Sequence, residues 1–254
     1  MFGQKPCQSE ADCAIICAQA PSCVKFGFLA AHRLCRLSHM THALSPGRSW
    51  VDPVRASRIQ SLCPLVTAGG RRFCVFQRRV DSTVAFDQPW RMYEIGFGNQ
   101  QNWWIGLQLL HQFTQPSGKQ LRVEVSLLNG ESHHFEYSGF LVANSSSGYV
   151  MTYGRLLDEL SSSANDSLAA HRDMKFSTRD RDNDLLADAS CSEADGLAGW
   201  WYSDCYRCNP NGILGDGAAA NGSEEAVGEE AGVAMWFAAS ESQPLVSVRL
   251  LLQV

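Results

Sequence analysis

The sequence predicts two disulfide-stapled parts, a small cysteine-rich module followed by a larger domain that mixes β-strands with short helices. Three observations carry this reading. Five of the ten cysteines fall within the first 35 residues, and only Cys63 and Cys74 separate that cluster from Cys191. Beyond Phe73 apolar residues alternate with polar ones on either side of Asn129-Gly130, a pair suited to a tight hairpin turn. Trp90, Tyr93 and Phe97 recur near the helical period. The seam lies between Ser45 and Arg72, where Pro46, Gly47, Pro53, Pro64, Gly69 and Gly70 break any periodic pattern.

In the first part, Ser9 to Ala20 predicts a short helix with Ser9 as N-cap, which sets Cys13 and Cys17 at i and i+4 on one face. After Pro21, Val24 to Phe28 reads as a strand and Leu34 to Leu37 as its partner. In the second part, Phe73 to Phe76 reads as a strand, and Leu121 to Leu127 with Ser132 to Phe140 reads as a hairpin. Gln88 to Phe97 is a short helix closed by Gly98, and Trp103-Trp104-Ile-Gly-Leu107 starts a buried segment. The aromatic set Trp90, Trp103, Trp104, Trp200 and Trp201 reads as core.

Composition narrows the function. With 254 residues, 45% of them hydrophobic, the chain buries a real core, and a net charge of -5 gives no broad basic field for phosphates or anionic membranes, so nucleic acid is not an expected partner. No run approaches the roughly 18 apolar residues of a membrane-spanning helix. Ten irregularly spaced cysteines and three N-x-S triplets, at Asn144, Asn165 and Asn221, fit an oxidising, extracellular compartment. The amino terminus has no apolar signal-peptide core, so the chain reads as lacking its true start or as a domain-bounded piece. Cys205 and Cys208 form a C-x-x-C, but the second pair that tetrahedral zinc requires is missing. None of the seven histidines accompanies a G-x-S-x-G elbow, His133 and His134 point to opposite faces of a strand, and Glu229-Glu230 sits in a Gly-rich loop, so no enzyme is expected.

Asp180-Arg-Asp182-Asn-Asp184-Leu-Leu186-Ala-Asp188 places carboxylates at every second residue. A hard cation such as Ca2+ takes six to eight oxygens, and a tight loop of alternating aspartates and free carbonyls supplies them. An EF-hand is excluded, because the Gly at loop position 6 and the Glu at position 12 are absent.

Several strings occur in a fixed order: Val75-Phe-Gln-Arg-Arg-Val-Asp81, Trp90 through Gly98-Asn99, Trp104-Ile-Gly-Leu107, Leu121-Arg-Val-Glu124, Met174-Lys-Phe-Ser-Thr178, Asp180-Arg-Asp-Asn-Asp184, Gly199-Trp-Trp-Tyr202 and Asn211-Gly212. Together they resemble the fibrinogen C-terminal domain of fibrinogen chains, ficolins, tachylectins, angiopoietins and tenascins. The resemblance implies an α+β fold over 73–254 with a twisted antiparallel sheet and a loop-rich calcium and ligand lobe. It implies that Asp182 and Asp184 donate carboxylates to Ca2+ and that Leu186 and Asp188 donate carbonyls, in a loop one residue longer than in most relatives. It also implies a Cys191–Cys205 disulfide, a cis peptide at Cys205-Tyr206, and a ligand pocket formed by Cys205, Tyr206, Gly196, Glu230 and Ala231. Gly196 stands where relatives carry a pocket Tyr, and Glu229-Glu230-Ala231-Gly232 stands where they carry Tyr-Ala-Asp-Gly, which points to a diverged ligand.

The first module, 7–63, resembles the PAN/apple family through CAIICAQAPSCVKFGFLAAHRLCRLS, which implies Cys13–Cys35 and Cys17–Cys23 bridges; a cysteine-rich cap of other descent is the alternative reading. Cys7–Cys63 is the preferred closure of this module, leaving Cys74 and Cys208 either paired or free. The expected protein is thus a secreted, calcium-dependent recognition module of the innate-immune lectin type, binding a glycan or acetylated group. The alternative is an extracellular adhesion or matrix module that binds a protein. An unpaired Cys208 is the route to a homo-oligomer.

Overall fold

The computed structural model describes residues 2–6, 23–29 and 34–39 by their backbone, and 63–215 and 232–254 except 195, 241 and 242. The expected helix at Ser9 to Ala20, the Cys13–Cys35 and Cys17–Cys23 bridges, the pocket residues Glu230 and Ala231, and Asn221 lie outside the described residues. The chain divides into two compact units, 1–55 and 56–254.

The first unit contains β1 (Phe2–Pro6), β2 (Cys23–Leu29) and β3 (Leu34–His39), joined antiparallel in the order β1-β3-β2. The β2–β3 pair matches the two strands read from the sequence, with Phe26 opposite Leu37 and Phe28 opposite Cys35.

The second unit opens on a hairpin of β4 (Leu65–Ala68) and β5 (Arg71–Arg79), turned by Gly69 and Gly70 at φ +55° and +73°. Cys63 is bonded to Cys74 across this hairpin, with Cα atoms 5.4 Å apart. That pairing corrects the preferred Cys7–Cys63 closure, because the hairpin already brings Cys63 beside Cys74. Helix α1 (Trp90–Ile95) follows, closed by Gly96 rather than Gly98. Gly96 sits at φ +96°, and a Cβ there would lie 2.7 Å from the Ile105 carbonyl oxygen. Gly106 faces the same seam, where a Cβ would lie 2.7 Å from the Ile95 carbonyl carbon, so each glycine admits the other segment's backbone.

Short strands β6 (Phe97–Gly98) and β7 (Trp103–Trp104) lead to α2 (Leu107–Thr114), which the sequence reading missed. The expected hairpin is β8 (Lys119–Leu127) and β9 (Ser132–Val142), followed by β10 (Met151–Thr152). Along β8, Leu121, Val123, Val125 and Leu127 are buried while Arg122 and Glu124 face outward, the period-2 pattern of a half-buried strand. After the lobe that contains α3 (Cys191–Ala194), β11 (Cys208–Asn209) and β12 (Met235–Trp236), the last strand β13 (Leu245–Gln253) lies between β8 and β5. The antiparallel order is β10-β9-β8-β13-β5-β7-β6.

One face of this sheet supports the lobe. Phe76, Phe140 and Leu250 pack with Trp104, Phe176 and Trp201, and ring centroids lie 5.0 Å apart for Phe176–Trp201 and 6.1 Å for Trp104–Trp201. Trp90, Trp104, Trp200 and Trp201 are buried and Trp103 partly so, which makes them scaffold. The Phe176–Trp201 pair is edge-to-face, at 87°, and such a pair adds about 0.5–1.5 kcal/mol beyond its buried area. The lobe thereby rests on rigid ground.

Candidate functional site

The lobe is built outward from Phe176. Ser177 and Trp200 exchange backbone hydrogen bonds of 2.8 and 3.1 Å, which fixes the acidic loop against the Gly199-Trp-Trp-Tyr202 segment. Past Ser177 the side chains alternate in task. Asp180 accepts from the Trp90 backbone N–H and the Thr178 hydroxyl, each at 2.8 Å, and so caps α1. Burial pushes its carboxyl up, but these bonds outweigh burial and hold it below the usual range. The Arg181 guanidinium stacks 4.0 Å from the Trp90 ring centroid. Asn183 donates from its amide to the Phe176 carbonyl at 2.7 Å and from its backbone to the Ser177 hydroxyl at 3.0 Å. These contacts anchor the loop and leave Asp182 and Asp184 for another purpose.

Asp182 Oδ1 accepts the Asp184 N–H at 3.0 Å. Asp184 Oδ1 accepts the Leu186 N–H at 3.0 Å, and its Oδ2 accepts the Cys191 N–H at 2.8 Å. Burial, with a further contribution from the adjacent Asp182 carboxylate, pushes the Asp184 carboxyl up despite those two bonds. No Lys or Arg forms an ion pair with either aspartate among the described residues. The two anionic oxygen donors side by side are of the type a hard cation takes, so the residues fit calcium. Among the described residues no three His, Cys, Asp or Glu side chains gather to hold a metal, so carbonyls and water would complete the shell. Leu186 is partly buried against the core, and Asp188 is exposed.

Cys191 and Cys205 are bonded, with Cα atoms 5.2 Å apart and a sequence separation of 14. The closed loop is tied to the acidic one twice, through Asp184 to Cys191 and through the Leu185 N–H to the Ser203 carbonyl at 2.9 Å. Within it Trp201 Nε1 donates to the Tyr149 carbonyl at 2.8 Å, and the Gly199 N–H donates to the Tyr93 hydroxyl at 3.0 Å.

His171 is the organiser that sequence reasoning missed. It is fully buried, its Nδ1 lies 2.7 Å from the Trp201 carbonyl, and its Nε2 accepts the Arg207 and Cys208 N–H groups at 3.0 and 3.1 Å. This arrangement requires the neutral ring with the proton on Nδ1. Burial pushes its pKa down to about 4 against the opposing bond to Trp201. The only available signal was its place three residues before Met174 in the string that leads into the acidic loop.

The candidate pocket departs from expectation in three respects. The cis peptide among the described residues is Gln115–Pro116, so Cys205–Tyr206 takes the trans form that is the default for a non-proline bond. Gly196, at φ +79°, lies against Gly232, where an added Cβ would sit 2.9 Å from the Gly232 carbonyl oxygen, so this position brings two backbones together. Cys208 is free but fully buried, which corrects its expected role as a subunit link: its thiol cannot reach a partner without opening the core. Tyr206 remains beside the loop, its ring centroid 6.2 Å from that of Tyr202.

Known proteins are similar to this chain in sequence and in fold. Fibrinogen-like protein A of Apostichopus parvimensis is 35% identical over 176 residues, covering 68% of this chain and 61% of that protein. Tenascin-R of Gallus gallus is 34% identical over 169 residues, covering 66% of this chain and 12% of that protein. The chain thus spans less than two thirds of the length of either relative. Among solved structures, the fibrinogen-like globe domain of human ANGPTL6 aligns with a TM-score of 0.63 at 27% identity, covering 73% of this chain and 79% of that one. The corresponding domain of human ANGPTL2 aligns at 0.61 and 25%, covering 80% and 98%. A lamprey fibrin D-dimer solved with a Gly-His-Arg-Pro-amide peptide aligns at 0.64 and 23%, covering 75% and 64%, and at that identity shows the fold alone.

Fibrinogen-like domains serve recognition or matrix roles in secreted or extracellular proteins rather than catalytic ones. Among the described residues no helix is long and apolar enough to cross a membrane. The family match covers residues 34–244 and so begins inside the segment that resembles the PAN/apple family. With most of its length matched, the chain belongs to the family of the C-terminal globular domain of fibrinogen beta and gamma chains.

Proposed function

We propose that the chain is a secreted, calcium-dependent recognition protein of the innate-immune lectin type, whose lobe captures a glycan or an acetylated group. The observation that carries this reading is the double use of Asp184. One carboxylate oxygen organises the acidic loop at Leu186, and the other holds the Cys191 N–H of the cystine that closes the neighbouring loop. Bound calcium would supply positive charge to relieve the repulsion between Asp182 and Asp184, with affinity on the order of 10⁻⁴ to 10⁻³ M, as in extracellular modules. Asp182 and Asp184 hold the loop, Cys191 and Ser203 pass its geometry across, and His171 fixes the segment after Tyr206. A surface ordered in advance loses less entropy on capture, so a few contacts suffice.

A second reading, capture of an extracellular protein in an adhesion or matrix role, is favoured by the apolar side chains around the lobe. Leu185, Leu197 and Ile213 are 64%, 38% and 56% exposed. Exposed apolar groups suit a protein interface better than a sugar.

A glycan array probed in millimolar calcium and again in chelator tests the proposal. Binding that calcium supports and N-acetylated sugars compete away is the expected result. Glycan binding unchanged in chelator refutes calcium dependence, and no glycan binding in either condition moves the ligand to the protein class.

A further inference from the structure

A concavity of about 370 Å³ lies on the face of the sheet that carries Arg122 and Glu124, opposite the buried face of Leu121, Val123 and Val125. Arg78, Arg122 and Arg249 line it with one carboxylate, Glu124, while Arg79 at its edge spends its buried guanidinium on the Gly212 carbonyl and the Phe86 ring. Strand register explains the clustering. Arg78 on β5 pairs with Arg249 on β13, and Arg249 pairs with Glu124 on β8, so these side chains stand in one row on neighbouring strands about 4.8 Å apart. Arg122 is two residues along β8 on the same face.

The carboxylates beneath are shared. Glu124 accepts from Arg122 Nε at 2.6 Å and from Arg249 Nε. Glu136, with its side chain fully buried, accepts from Arg122 at 2.6 Å and from Arg71 at 2.5 Å. Negative charge thus sits low in the face while guanidiniums cover it, and the Arg249 side chain remains 42% exposed. Arg78 forms no ion pair among the described residues and lies 5.8 Å from the Trp103 ring centroid. A chain of net charge -5 therefore carries a local cationic groove with unspent guanidinium donors.

We infer that this groove binds a short segment of a sulfated polysaccharide, with Arg78 and Arg249 as the principal sulfate contacts. Its chemistry favours that occupant over an acidic peptide. β13 is hydrogen-bonded on both sides, so no free strand edge is offered for β-addition. The rim supplies serine hydroxyls, with Ser126 and Ser132 3.1 Å apart and Ser247 also lining the groove. Guanidinium forks and hydroxyls meet the sulfates and hydroxyls of such a sugar.

The test is titration of the full chain with a heparin-type octasaccharide, alongside the same octasaccharide desulfated and a hexaglutamate peptide. Expected are binding of the sulfated chain alone, loss of affinity with rising salt, and weakening by about tenfold in Arg78→Gln, the effect of losing one charge-assisted contact. Arg78→Lys should keep most of the affinity, and unfolding midpoints should be unchanged. Absence of binding, equal binding of the desulfated chain or the peptide, or full affinity in Arg78→Gln would overturn the inference. Should Arg78→Gln fold poorly, protection of Arg78 in the wild-type chain from an arginine-selective reagent decides: protection by the octasaccharide supports the assignment and its absence refutes it.

Discussion

Replacing His171 with glutamine separates a structural histidine from a bystander, because its fully buried ring makes three hydrogen bonds. Glutamine retains one amide at this position but cannot reach both the Trp201 carbonyl and the paired Arg207 and Cys208 N–H groups. Arg207 is exposed and its N–H can turn to water, so the lasting losses fall on the buried Trp201 and Cys208 groups. Leaving a buried polar group unpartnered costs about 1–3 kcal/mol, which sets the expected loss at neutral pH.

The same residue predicts a pH dependence. The His171 pKa is pushed down to about 4 from an ordinary 6.5, so folding holds the ring neutral where the unfolded chain would protonate it. The associated stability is fully present above pH 6.5 and is lost as pH falls toward 4, in total about 3 kcal/mol at about 1.4 kcal/mol per pKa unit. Glutamine does not titrate. Urea unfolding of both proteins from pH 7 to pH 4 should therefore show the gap between them closing as the wild type weakens. A gap that stays constant across that range would refute the assignment of a buried neutral imidazole.

The remaining predictions concern the lobe and its supports. Asp184→Asn should abolish the rise in unfolding temperature that millimolar calcium gives the wild type, as read by differential scanning fluorimetry; a retained rise would place the cation elsewhere. In calcium-free buffer the raised Asp184 carboxyl predicts the opposite sign to His171, since its charged form costs stability above its pKa and protonation at lower pH relieves that cost. The same Asp184→Asn variant should lose this contribution in a pH series. Replacing Cys191 and Cys205 together with serine should lower stability by about 3 kcal/mol in the chain-entropy model for a loop of this length, measured by denaturant midpoint. Gly199→Ala would set a Cβ 2.6 Å from Tyr93 and 2.8 Å from Phe176, and a cost of about 1–3 kcal/mol is expected from overpacking. Non-reducing peptide maps should give Cys63–Cys74 and Cys191–Cys205, with Cys208 alkylated only in denaturant, because burial also pushes its thiol well up.

Local chemistry made much of this protein legible from residues alone. The Asn129-Gly130 turn between alternating segments defined the β8–β9 hairpin, where Gly130 takes φ +87° and Asn129 Oδ1 accepts the Glu131 N–H at 2.9 Å. The ordered strings from Val75 to Gly212 identified the family, because their residues answer to fixed tasks: Asp180 caps α1, Asn183 pins the acidic loop and Gly199 admits Tyr93. The aspartate spacing at 182 and 184 was equally visible, since each carboxylate accepts the backbone N–H two residues on and the two stay neighbours in the turn.

Other features depended on partners far away in the chain. Nothing in Leu245 to Gln253 marks it as the middle of the sheet; that place follows from register with Arg79 on one side and Leu127 on the other. The pairing of Cys63 with Cys74 and the isolation of Cys208 were set by which backbones the hairpin and core bring together, a matter on which cysteine spacing is silent. His171 is one of seven histidines, and its role emerges only when the fold surrounds it with one carbonyl and two N–H groups. The sequence by itself determined the local turns, the alternation of faces and the family. Tertiary structure alone decided the disulfide at the hairpin, the neutral histidine and the row of arginines across β5 and β13, because each is a relation between residues whose distance only folding sets.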